Sequence, residues 1–248
     1  MSDLDVNQDD IVHVLTNDMI DYLFGLSERV NQRQQQINQD VRGGVYDQLL
    51  SMRVKIAPGR SGKWRVERFY IGRDESEFGY NKYIYSEGGR GFAPVGWYTK
   101  LTRSGQIIMS DTPDEIRDHL PFIQMSRGDV LVTGLGLGMV AEQLLKRDEV
   151  STVTIIEQSR DVWRLVAPIL MTRYGKRLTV IVDDAYSYTP SQRYDMAWHD
   201  IWDDISTENL PKMARLEQHY APFVGYQQFW SKSFWSKSIV ERVNNDGS

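Results

Sequence analysis

Hydrophobic and polar positions along the chain fall into three zones with different periods. Up to about residue 60, Ile11, Val14, Leu15, Ile20, Leu23, Phe24, Leu26 and Val30 recur at helical spacing, with Asp18 and other polar residues between them. Asn31–Asp40, NQRQQQINQD, holds a single apolar residue and reads as a solvated helix end or a flexible spacer. Gly43-Gly44 breaks the helix, a short helix is expected over Val45–Met52, and Pro58-Gly59 closes the zone. From 61 to 111 the rhythm changes. Trp64, Val66, Phe69, Tyr70, Tyr80, Tyr83, Ile84, Tyr85, Trp97 and Tyr98 favour strands, and glycines punctuate them. Short antiparallel strands are expected over 63–71, 80–86, 96–102 and 105–109.

The third zone opens at Thr112. Asp111 or Thr112 is placed to cap a helix whose first turn holds Pro113, Asp114 and Glu115. Strand 129–134, helix 138–147, strand 152–157, helix 160–174, strands 177–182 and 194–199, helix 207–220 and strand 223–230 then follow. Such alternation implies a parallel sheet covered on both faces. The expected organisation is a helical segment over 1–60, a small β-rich domain over 61–111 and an α/β domain over 112–248. FWSKS occurs twice in tandem, at 229–233 and 234–238, and a period of five fits neither helix nor strand.

Composition narrows the chemistry. The 248 residues include no cysteine, so disulfides, Cys-ligated metals and thiol nucleophiles are excluded. With 29 Lys+Arg against 34 Asp+Glu the net charge is −5, which argues against a chain that coats nucleic acid through a broad basic surface. No apolar run approaches the roughly 18–20 residues of a membrane span. The start, MSDLDVNQDD, lacks the basic and apolar regions of a secretion signal, so a cytoplasmic location is expected.

Asp129–Val140, DVLVTGLGLGMV, carries a buried strand into Gly134, Gly136 and Gly138 and then into a helix. Glycines suit a sharp turn against which a ligand sits, and the helix start behind it offers unpaired N–H groups. The spacing is G-x-G-x-G, not the phosphate-cradling G-x-G-x-x-G. Glu157 ends the next strand, about 20 residues on, where an acid can accept both hydroxyls of a ribose. A third strand ends in Asp183-Asp184-Ala185, where a carboxylate can accept from an adenine amine, and a fourth delivers Asp200. Carboxyl ends of strands in an open parallel sheet form one crevice, and ligands bind there.

The series VLVTGLGLG, VTIIE, VDDA and YDMAWHD resembles the class I S-adenosylmethionine-dependent methyltransferase superfamily, with the spermidine-synthase-like branch nearest. In that branch a Tyr-Asp strand leads to Asp-x-x-Asp; here Tyr194-Asp195 leads to Asp200-Ile201-Trp202-Asp203. WHDIWDDI is also similar to short methyltransferase-like proteins carried by phages. The resemblance covers about residues 95–230. It implies a Rossmann-like three-layer α/β/α methyltransferase fold with a truncated C-terminal sheet edge, behind a small β-rich domain and an N-terminal helical segment. It implies S-adenosyl-L-methionine as cofactor, or its decarboxylated form in an aminopropyltransferase. Gly134, Gly136 and Gly138 would hold the methionine and ribose part, Glu157 the ribose hydroxyls, and Asp184, or Asp183 beside Ala185, the adenine amine. Asp200 would face the reacting end, with Asp203 completing its motif. Departures from the branch are Asp204 in place of a proline, and a tail too short for the usual sixth and seventh strands.

Four histidines remain. His199 adjoins Asp200 and is a candidate base or orienting group; His13, His119 and His219 sit on predicted helices and read as surface or core residues. No metal site is expected. Trp198, Trp202, Trp230 and Trp235 gather at predicted strand ends, with Lys232 and Lys237 beside them, and read chiefly as core. An unperturbed Asp, with a pKa near 3.9, is a weak base for an ammonium, so the first role expected of Asp200 is positioning. The expected activity is methyl transfer to a small-molecule or macromolecular acceptor. The alternatives are aminopropyl transfer to a polyamine and a non-catalytic scaffold that keeps the fold. Self-association through the N-terminal helix is expected, and membrane contact is not.

Overall fold

A computed structural model describes residues 17–85 and 90–231. Helix α1 (Asn17–Arg42) runs unbroken through the Gln/Asn-rich stretch. Its one apolar residue there, Ile37, is 1% exposed in the core, so packing rather than propensity orders a segment that composition left open as a spacer. Gly44 adopts φ +70 and starts α2 (Val45–Ser51).

Strands β1 (Gly59–Ser61), β2 (Trp64–Ile71), β3 (Gly96–Arg103) and β4 (Gln106–Ser110) form an antiparallel sheet in that order. Between β2 and β3 lies helix α3 (Arg73–Tyr85), which corrects the strand expected over 80–86. Tyr80, Tyr83 and Ile84 stand at i, i+3 and i+4, a helical spacing, and Tyr83 and Ile84 are buried. The tertiary face thus overrides the strand propensity of tyrosine and isoleucine.

Helix α4 (Pro113–Met125) starts after Thr112, with proline in its first turn. Asp111 does not cap it; its Oδ1 accepts from the Thr99 amide of β3 at 2.6 Å. Then β5 (Gly128–Thr133), α5 (Met139–Leu145), β6 (Val150–Glu157), α6 (Arg160–Tyr174), β7 (Leu178–Val182), β8 (Tyr194–His199), α7 (Leu210–Tyr220) and β9 (Val224–Phe229) follow. The five strands are parallel in the order β7-β6-β5-β8-β9. The fold is Rossmann-like α/β/α. Any shortening of the sheet beyond β9 falls outside the described residues.

Alternation along the strands divides the interior. Val130, Val132, Val153 and Ile155 face one large core beneath α4, α5 and α6. Leu131 and Ala197 face the other, where α7 presents Met213, Leu216 and Tyr220. The antiparallel sheet joins the large core through Trp64, Val66 and Leu101. Ser61 Oγ on β1 also donates to Asp161 Oδ1 on α6 at 2.7 Å. This docking holds the antiparallel sheet against one face of the α/β unit. No described helix is long and apolar enough to cross a membrane.

Leu144 of α5 is fully buried in the large core. Leu144→Ala is expected to cost about 2–5 kcal/mol. Urea unfolding checks this as a lowered midpoint at unchanged slope.

Candidate functional site

A cleft of about 470 Å³ opens at the carboxyl ends of the parallel strands. Strands β5 and β8 are neighbours whose chains leave toward opposite sides of the sheet, which makes a topological switch point. Gly134 and Gly136 follow β5, Glu157 ends β6, Asp184 and Ala185 follow β7, and Asp200 to Asp203 follow β8; all line the cleft. Trp64, Arg103 and Met109 of the antiparallel sheet close one side.

The glycines are demanded in part by the protein's own atoms. Gly134 has φ +94, and a Cβ there would overlap the Asp200 carbonyl oxygen. Gly136 has φ +51, and a Cβ would overlap Met109 Sδ, which accepts from the Leu137 amide at 3.1 Å. Gly138 is turned away from the cleft onto Val166 and Leu170 of α6. Its absence of side chain serves helix packing, so the geometry gives it no direct place on a ligand.

Glu157 is 9% exposed and both its oxygens are engaged. Oε2 accepts from the Leu135 amide at 2.9 Å and Oε1 from the Ser159 amide at 2.7 Å. Burial raises its pKa above the ordinary range, and these two bonds pull against that rise. A carboxylate has about four accepting sites, so capacity remains on each oxygen. Asp184 Oδ1 accepts from the Tyr186 amide at 2.9 Å, folding the turn after β7. Asp183 is exposed, accepts from the Asp184 amide at 2.7 Å and does not line the cleft. Ala185 is 5% exposed and forms wall.

At the other end Asp200 faces α4. Burial, then the nearby Glu115 and Asp118, push its pKa up to about 8. Burial and Asp118 push Glu115, which also lines the cleft, up to about 7. Asp118 itself is held by Arg90 through two bonds of 2.6 and 3.0 Å, and accepts from Trp230 Nε1 at 3.3 Å. His119 is 1% exposed, and its Nε2 lies 3.9 Å from Asp200 Oδ2. Burial lowers its pKa to about 3, so at neutral pH the imidazole is uncharged and this contact is not an ion pair. Neither ring nitrogen has a hydrogen-bond partner among the described residues.

Asp203 lines the cleft and is ion-paired with Arg103 of β3. His199 is not brought to the cleft, which corrects its expected role as a base. Strand alternation turns it to the α7 side, fully buried between the rings of Tyr220 and Phe229, with centroids 5.2 and 4.7 Å away. Its Nδ1 and Nε2 pair with Thr133 Oγ1 at 3.0 Å and Gln227 Oε1 at 3.1 Å. Trp202 and Trp230 line the cleft, whereas Trp198 is core, packed on Phe122 and His119. Trp235, Lys232, Lys237 and the second FWSKS lie outside the described residues.

Glu115, His119, Arg103 and Met109 are among the site residues that the sequence did not single out. Glu115, Asp118, His119 and Phe122 stand at i, i+3, i+4 and i+7, so one face of α4 was visible. What that face meets was not.

No family model and no curated protein matches the chain. Among solved structures it is similar to a spermidine synthase from Thermotoga maritima, with 16% identity, a TM-score of 0.40, and 68% of this chain and 52% of that one covered. A putative RNA methyltransferase from Pyrococcus horikoshii is 11% identical, with a TM-score of 0.39 and coverage of 50% and 65%. An S-adenosylmethionine-dependent methyltransferase from Clostridium acetobutylicum is 15% identical, with a TM-score of 0.34 and 47% of each chain covered. The chain thus spans about half the length of the first and third of these structures.

Two outcomes follow from this geometry. In the folded chain Asp200 keeps its proton up to about pH 8, while in the unfolded chain it loses it near 3.8. Across that window the folded state binds more protons, so this group lowers stability as pH rises from about 4 to 8. Asp200→Asn should therefore raise the melting temperature at pH 8, with the gain shrinking toward pH 4; a gain independent of pH would contradict the assignment. Gly134→Ala forces a side chain onto the Asp200 carbonyl at positive φ and should cost more than about 1 kcal/mol in urea unfolding.

Proposed function

We propose that the chain is an S-adenosylmethionine-dependent transferase and, within that class, a methyltransferase. One observation carries the reading: four strands converge on one cleft that is rich in carboxylates, with Glu157 beside the glycine turn. The lining acids are Glu115, Glu157, Asp184, Asp200 and Asp203; the lining cations are Lys63 and Arg103, and Arg103 is taken by Asp203. Nucleotide phosphates need donors and positive charge at such a turn. Here the Leu137 amide is given to a thioether instead. A sulfonium cation is favoured by the same field that opposes a phosphate.

The residues fit the group. Glu157 has accepting capacity for ribose hydroxyls, Asp184 stands at the rim for an adenine amine, and Ile156 and Ala185 supply apolar wall. When bound, the cofactor supplies an electrophilic methyl carbon. Asp200 and Glu115 then do the chain's own work at the acceptor end. Their raised pKa values, near 8 and 7, make them stronger bases than an ordinary carboxylate. At neutral pH Glu115 is part-ionised and suited to take a proton from an amine or hydroxyl acceptor, whereas Asp200 already holds its proton and is placed to donate a hydrogen bond, beyond the positioning expected of an unperturbed Asp. Holding acceptor and carbon in line contributes up to about 7–11 kcal/mol in favourable cases.

Aminopropyl transfer is the second reading. It is favoured by the scarcity of cations for a cofactor carboxylate, since Lys63 is the lining cation not tied to Asp203. Calorimetry on the full chain tests both readings. S-adenosylmethionine and S-adenosylhomocysteine are expected to bind, and Glu157→Gln to weaken binding about tenfold, or 1.4 kcal/mol. Tighter binding of the decarboxylated cofactor selects the second reading. Binding of none of the three overturns both.

A further inference from the structure

His119 is buried, and both its ring nitrogens lack a hydrogen-bond partner among the described residues. Buried polar groups are nearly always paired, because an unpaired one bears the cost of leaving water with nothing to offset it. The ring is wedged in place. It meets Trp198 in a T-shaped contact, with centroids 5.5 Å apart and planes at 82°. Trp198 is packed in turn on Phe122, one turn further along α4.

The polar side chain beside the ring is that of Asp200, whose Oδ2 lies 3.9 Å from Nε2. The Asp200 backbone is fixed on both sides. Its amide donates to the Thr133 carbonyl at 2.9 Å, and its own carbonyl abuts Gly134. The carboxyl is what can move, and a shift of about 1 Å brings Oδ2 within hydrogen-bond reach of Nε2. The Asp200 side chain keeps 21% exposure and lines the cleft, so one oxygen faces the imidazole and the other is left to the cleft.

Protonation makes the pair complementary. Burial, then Glu115 and Asp118 of α4, hold the proton on Asp200 up to about pH 8. Burial keeps the imidazole uncharged. Arg90 is engaged with Asp118, and Arg103 with Asp203. A carboxyl has an O–H to give, and a neutral imidazole has one nitrogen free to accept it.

We infer that His119 is a positioning residue: its Nε2 accepts a hydrogen bond from Asp200 Oδ2, and Asp200 Oδ1 is thereby held toward the cleft to accept from an N–H or O–H of a bound molecule. With its O–H turned to His119, Asp200 receives that donor without competing with Glu115 for the proton. That the bound molecule is the acceptor of a transferred group rests on the transferase reading; that the imidazole holds the carboxyl does not.

Nuclear magnetic resonance of the full chain without cofactor tests this. The imidazole nitrogen shifts of His119 at neutral pH should show Nε2 without a proton; a protonated Nε2 overturns the inference. Carboxyl carbon shifts, with the Asp200 signal assigned from Asp200→Asn, give the titration midpoint of Asp200. His119→Phe keeps a ring against Trp198 and removes the accepting nitrogen. It should lower that midpoint by about one pH unit, because only the protonated carboxyl can donate the lost bond. His119→Gln supplies an accepting oxygen and should restore the midpoint. A midpoint unchanged or raised in folded His119→Phe overturns the inference, as does a fall in His119→Gln as large as in His119→Phe. If neither variant folds, the nitrogen shifts decide. Cofactor binding plays no part in these measurements, so their failure is distinct from failure of the transferase reading.

Discussion

The cleft owes its shape to one buried carboxylate. Glu157 accepts the Leu135 amide from the glycine turn with one oxygen and the Ser159 amide ahead of α6 with the other. It thereby ties the loop after β5 to the loop after β6 across the sheet. Removing it would leave two amides without their acceptor in a largely buried place, where an unsatisfied group costs about 1–3 kcal/mol. The glycine turn depends on this tie, and the contact of Gly134 with the Asp200 carbonyl depends on the turn. Three of the four strand ends are thus mechanically linked before any ligand arrives.

The second organising feature is electrostatic separation between the two sheets. The parallel sheet gathers Glu115, Glu157, Asp184 and Asp200 around one opening. The antiparallel sheet beside it is dense in lysine and arginine. The Arg103–Asp203 ion pair is a seam where the two meet. Clustering carboxylates in a confined site raises their proton affinity, because each ionised neighbour disfavours the next and burial disfavours all of them. Asp200 and Glu115 accordingly titrate in the neutral range, and the buried, uncharged His119 does not offset them.

Much of this was legible in the chain. Gly134, Gly136, Glu157 and the pair Asp183-Asp184 stand out by spacing after apolar runs, because strand ends of a parallel sheet converge whatever their exact packing; the preference for Asp184 rests on the resemblance. The reading failed where a local signal has two meanings. Tyr80, Tyr83 and Ile84 carry strand propensity and helical spacing at once, and burial of one face decided for the helix. His199 is next to Asp200 in sequence, yet strand alternation sends adjacent side chains to opposite faces, and only one of them faces the cleft. Gly138 belongs to the motif by count but to α6 by contact.

By itself, then, the sequence determined the order of elements from residue 112 on, the parallel sheet and the set of strand-end acids, since periodicity and turn chemistry are local properties. It also excluded thiol chemistry, because no cysteine is present. Only the tertiary structure decided which face of α4 meets Asp200, and so brought Glu115 and His119 to it over a separation of more than eighty residues. It alone decided that Met109 fills the glycine turn and that Arg103 of β3 meets Asp203 beyond β8. These are distances between residues remote in the chain. Field and desolvation depend on such distances, and no pattern along a single chain encodes them.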